Sequence, residues 1–198
     1  RSVSRGLGDV YKRQFIFLRF LHIISKEVNS LKQLKLYIII GIIFVLITGT
    51  LAHFVYEWSG RNFFAGFFFP VNESTWEHMK LLFFPMLLYS FFMQQRLNKT
   101  SPCIKSASFA GVLFGTFLIP VIFYTYTGIL ERNYLILDIL TFVLSTVSAF
   151  SLVYCLTLSC RLQSRSVLLK LLICIFIAGF ILFTYNPPDI GLFANPIK

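Results

Sequence analysis

Five ionisable residues of this chain have the types and spacing to do chemistry: His53, Glu57, Glu73, Glu77 and His78. His53 and Glu57 are four apart, as are Glu73 and Glu77, so on helices each pair would share a face with side chains about 6 Å apart. Two carboxylates so placed repel unless a proton or a cation lies between them, and a site close to lipid strengthens that repulsion. Imidazole nitrogen with carboxylate oxygen suits Zn, Mn or Fe, so His53, Glu57, Glu77 and His78, with Glu73 as a further donor, form a candidate divalent-metal set. Glu73 and Glu77 are also the candidates for a catalytic general base. There is no HExxH pattern, and the consecutive Glu77 and His78 point about 100° apart on a helix, which keeps both from one centre without help from the helix start.

These residues must be positioned by membrane helices. Hydrophobic residues make up 57% of the 198-residue chain and charged residues 13%, about half the share of a soluble domain. Mean hydropathy is +0.76. The expected architecture is all-α: a polytopic membrane helix bundle of about five transmembrane helices in one domain, residues 36–198, preceded by an N-terminal extension, residues 1–35. The net charge of +10 falls in short connections between apolar runs, which sets orientation and argues against nucleic acid as a partner. The lipid bilayer is the partner implied. Nothing in the sequence identifies a protein partner.

The run Pro70-Val71-Asn72-Glu73-Ser74-Thr75-Trp76-Glu77-His78-Met79-Lys80 lies between apolar segments. The apolar stretch after it, residues 81–93, is roughly 20 Å long as a helix, short of a hydrocarbon core of about 30 Å. The helix is therefore expected to begin within the polar run, near Asn72 or Ser74. Expected spans cover about 36–56, 72–95, 106–130, 134–158 and 167–185, the last ended by Asn186-Pro187-Pro188. Ala107, Gly111 and Gly115 form a small-xxx-small face read as internal packing, and Ser145, Ser148 and Ser151 offer interhelical hydrogen bonds. Met79, Met86 and Met93 recur on one face and read as packing. Phe63 to Phe69 is too short to span and is expected to lie flat or dip in beside the polar run.

Lys26, Lys32, Lys35, Arg96, Lys99, Lys105, Arg161, Arg165 and Lys170 all fall on one side of this topology, against Arg61, Arg132 and Lys198 on the other. The positive-inside rule then places the N-terminus in the cytoplasm and the C-terminus outside. Glu57, Glu73, Glu77, Glu131, Asp138 and Asp189 gather at the outer end with His53 and His78. Asn72, Lys80, Asp138, Asn186 and Asp189 complete the polar cluster expected there. Cys103, Cys155, Cys160 and Cys174 form no CxxC pair and read as reduced packing residues. Residues 1–14 resemble translated sequencing-adapter sequence and are set aside. Residues 15–24, interrupted by Arg19 and His22, read as an interfacial segment or untranslated sequence and not as a span, and the native start is expected between Val28 and Lys35.

A purely structural account covers many of the same residues. Ser74-Thr75-Trp76-Glu77 matches a capping box, Asn72 is an alternative N-cap, Trp58 and Trp76 suit interface anchors, Lys80 could pair Glu77 or Glu73, and His53 could bond Glu57.

His53-Phe54-Val55-Tyr56-Glu57-Trp58-Ser59-Gly60, the run from Pro70 to Pro85, Tyr124 to Leu130, Leu137 to Phe142 and the tail Asn186-Pro187-Pro188 together resemble an uncharacterised family of bacterial membrane proteins, domain of unknown function 6512. The resemblance spans roughly residues 36–196. It implies a multi-pass protein of the bacterial cytoplasmic membrane, from Gram-positive and related bacteria, with no established activity. In that family a histidine often follows the two prolines, where this chain has Asp189. The expected function is a non-catalytic membrane component with a polar His/Glu cluster. The alternatives are an intramembrane metal-dependent hydrolase and a small proton-coupled transporter built on Glu57, Glu77 and Asp138, for which no polar path crosses the middle of the bundle.

Overall fold

A computed structural model of the chain describes the backbone of residues 3–195 and the side chains of residues 25–195. The readings made of residues 1–24 rest on side chains outside those described. The chain forms two compact units, residues 1–36 and 37–198. The first consists of the N-terminal part of helix α1, which runs Val3–Trp58.

The rest of α1 belongs to the second unit, with α2 (Phe63–Gly66), α3 (Thr75–Leu97), α4 (Ile104–Leu130), α5 (Leu135–Ser159) and α6 (Ser166–Tyr185). No strand occurs among the described residues. Four helical segments, Ser25–Trp58, Ile104–Leu130, Leu135–Ser159 and Gln163–Tyr185, are long and apolar enough to cross a membrane. Helix α3 is not one of the four, because Glu77, Lys80, Gln94 and Gln95 dilute its apolar run. Its 23 residues reach about 34 Å, and most are buried. The helix expected as an ordinary span is thus the centre of the bundle, where its polar side chains meet protein.

Helix α4 packs against α3, α5 and α6. Backbones approach closely at the expected small residues: a Cβ at Gly111 would strike Val153 and lie 3.0 Å from the Ala149 carbonyl, and one at Gly115 would lie 2.7 Å from the Ala149 Cβ. On α1, a Cβ at Gly49 would lie 2.6 Å from the Leu81 carbonyl oxygen and 2.5 Å from Phe142. Met79, Met86 and Met93 are buried along α3. Ser151 bonds the Val147 carbonyl of its own helix, while the buried Ser145 hydroxyl has no partner among the described residues.

Two expectations are corrected here. Trp76 is no interface anchor: α6 and a 3-10 turn at Gly191–Phe193 cover it, with ring centroids 4.8 Å from Phe180 and 5.0 Å from Phe193. Cys103 and Cys160, read as reduced, form a disulfide with a Cα separation of 5.3 Å. A sequence separation of 57 hid the pairing, because only antiparallel packing of α4 and α5 brings the start of one beside the end of the other. Ser106 Oγ bonds Gln163 Oε1 at 3.2 Å across the same two connections. Cys155 and Cys174 are free and exposed. Closing a loop of this length is worth up to about 4 kcal/mol by the chain-entropy relation, so reduction of the purified protein is expected to lower its thermal midpoint by several degrees, and Cys160→Ser should abolish that response.

Candidate functional site

The polar run turns twice before α3 begins. The Asn72 side chain accepts from the Ser74 amide at 2.9 Å, a local turn that leaves Glu73 projecting from an exposed bend. Ser74 has extended backbone and caps α3, its hydroxyl accepting from the Glu77 amide at 3.4 Å. The reciprocal half of the capping box is absent, since Asn72 has taken the Ser74 amide and Glu77 turns elsewhere.

Glu77 and Lys80 form a buried ion pair at 2.7 Å, side chains 2% and 0% exposed. Lys80 Nζ also donates to the Gly66 carbonyl at 2.9 Å and to Thr184 Oγ1 at 2.6 Å, and Glu77 Oε2 accepts from the Val71 amide at 3.0 Å. A single network therefore fastens α2, the entry to α3 and the end of α6. Tyr185 adds a hydrogen bond to the Phe63 carbonyl at 2.7 Å and stacks on the Phe63 ring at 4.5 Å.

The remaining acid and two imidazoles meet. His53, near the end of α1, places Nε2 3.8 Å from Glu73 Oε2, and His78, in the first turn of α3, places its Nε2 3.4 Å from the same oxygen. The two imidazole centroids are 5.3 Å apart. One donor atom from each of His53, Glu73 and His78 lies within 4.8 Å of the other two. Ligands on a tetrahedral ion at about 2.0–2.1 Å stand roughly 3.3–3.5 Å apart, so one side already fits and the others close by small rotations of partly exposed side chains. His78 Nδ1 lies 2.9 Å from the Ser74 carbonyl oxygen, which can only accept, so Nδ1 carries the proton and Nε2 is the ligating nitrogen.

Glu57 is placed elsewhere, paired with Arg61 at 3.2 Å on an exposed turn. Glu77 is kept from the imidazoles by Lys80. Glu73 precedes α3, so it does not share a helical face with Glu77. Asp189 is exposed, and Asn186 closes α6.

A cavity of about 80 Å³ adjoins the site, with Glu73, His78, Asn133 and Asp138 among its lining residues. Asp138 Oδ1 accepts a short hydrogen bond from the Tyr126 hydroxyl, which also lies 2.7 Å from Asn133 Oδ1. The phenol has one proton for two acceptors. Giving it to the carboxylate, and turning the Asn133 amide so that its NH2 donates to the phenol oxygen, satisfies all three groups. Tyr126 and Asn133 were not singled out from the sequence. Their signal is topological, since the connection from α4 to α5 is short and folds Tyr126 back over Asp138.

No curated protein and no solved structure matches this chain. A family model described as "Family of unknown function (DUF6512)" matches residues 26–198, and the chain belongs to that family.

Proposed function

We propose that this integral membrane protein binds one divalent metal ion, zinc by its donor set, through His53, Glu73 and His78. The observation that carries the reading is the convergence of three donor atoms from three separate segments within 4.8 Å, one of them an imidazole with its other nitrogen fixed on a backbone carbonyl. Three protein ligands are one fewer than a closed structural zinc site uses, and two of them, Glu73 and His78, line the adjoining cavity.

The excess of basic residues in three connections supports an orientation with the N-terminus in the cytoplasm of a bacterial cell and the metal end at the outer surface.

Purified protein dialysed against zinc is expected to retain about one zinc per chain by elemental analysis. His78→Ala and Glu73→Gln should each weaken binding by more than the 10–100-fold typical of second-layer partners. Glu57→Gln should bind as wild type, because Glu57 is occupied by Arg61. Full zinc retention by His78→Ala would overturn the assignment.

A further inference from the structure

The cavity beside the ligands Glu73 and His78 has a mixed lining, polar from those two with Asn133 and Asp138 and apolar from Ile119, Phe123 and Phe142. Ile119 and Phe123 come from α4 and Phe142 from α5, and both helices expose large apolar side chains outward, Phe117, Val121, Ile139 and Leu140 among them. A small space beside two helices that expose apolar side chains, lined by both polar and apolar groups, fits the junction of an amphiphile, where a carbonyl group meets its hydrocarbon chain. Its volume of about 80 Å³ is below that of a cavity that holds benzene, so it accommodates such a junction and not a whole headgroup.

Asp138 faces this junction with one oxygen engaged. Oδ1 takes the Tyr126 proton, and among the described residues Oδ2 has no partner. A carboxylate held by one oxygen, across a small cavity from a set of metal ligands, is placed to receive a proton from water there.

We propose, resting on the metal reading above, that the site hydrolyses the ester or amide carbonyl of a membrane amphiphile, with Asp138 as general base. His53, Glu73 and His78 would hold the metal, which would acidify a water bound to it; Asp138 Oδ2 would take the proton of that water as its oxygen adds to the carbonyl carbon. The C–O or C–N bond to the leaving group then breaks, and the proton passes from Asp138 to the departing alcohol or amine. The products are a carboxylic acid and that alcohol or amine, with water the only co-reactant and no change of oxidation state. Tyr126 is a positioning residue, orienting the free oxygen of Asp138 toward the cavity.

The test uses the full chain in detergent, loaded with zinc, on p-nitrophenyl octanoate and p-nitrophenyl acetate, with the His78→Ala protein as blank. Zinc-dependent turnover is expected, with kcat/KM for the octanoate at least about 10-fold above the acetate, as burial of a few methylenes requires. Asp138→Asn should lower kcat by about 10²–10⁴-fold while KM and zinc content stay at the wild-type level. Asp138→Glu, which keeps the carboxylate, should recover part of the rate and guards against a folding defect in the first variant. Zinc binding without turnover of the octanoate would overturn hydrolysis and leave the metal site standing. Failure to bind zinc at all would remove the metal reading itself. Loss of zinc in Asp138→Asn would make Asp138 a ligand, and wild-type turnover by that variant would exclude it as the base.

Discussion

Lys80→Met is expected to cost about 3–5 kcal/mol, because it leaves the Glu77 carboxylate buried without its cation. The ammonium also satisfies the Gly66 carbonyl and Thr184, so the same substitution loosens α2 and the end of α6. For a chain of this length the thermal midpoint should fall by on the order of 10 °C, followed through the fluorescence of Trp76, which lies against α6. The double variant Glu77→Gln/Lys80→Met should regain most of the loss, since the amide can still accept from Val71 and no charge is stranded. A midpoint unchanged in Lys80→Met would mean that the pair does not hold these three segments.

Gly111→Leu is the second large effect. The space a side chain would need is filled by Val153 and by the Ala149 carbonyl, one of them backbone that cannot rotate away. Overpacking at a helix crossing costs about 1–3 kcal/mol when neighbours can yield, and this site offers little to yield. Separation of α4 from α5 should follow, seen as loss of the folded species on size exclusion in detergent. Gly128→Leu is the control, because nothing lies within 4 Å of a Cβ there. Equal damage from both variants would show helix propensity, not packing, to be responsible.

The helices were largely legible in the sequence. Four apolar runs of about 20 residues match helices that could cross a membrane, and the two prolines after Tyr185 mark the end of α6. Less legible was α3, whose start at Thr75 follows from a capping serine but whose central position depends on which neighbours cover Glu77 and Lys80. The site was half legible for a related reason. Glu57 has Arg61 four residues on and Glu77 has Lys80 three residues on, so both acids carry a cation partner in their own segment, whereas Glu73 has none. That local count separates the acid that meets the imidazoles from the two that do not. Contacts set by loops were the least readable, because Glu73 is aimed by a turn at Asn72, and Tyr126 of α4 meets Asp138 of α5 through a connection whose path no periodicity encodes.

The Cys103–Cys160 bond joins α4 to α5 at the end of the bundle away from the imidazoles, and the Ser106–Gln163 hydrogen bond ties α4 to the turn that follows α5 there. The other ends of α4 and α5 are joined by a short connection and by the Tyr126–Asp138 contact, beside the cavity. Two rods clamped at one tip can spread only at the other. Any widening of this pair therefore acts as a sideways door at the carboxylate end, admitting molecules already dissolved in the bilayer without exposing the bundle's interior to water from below.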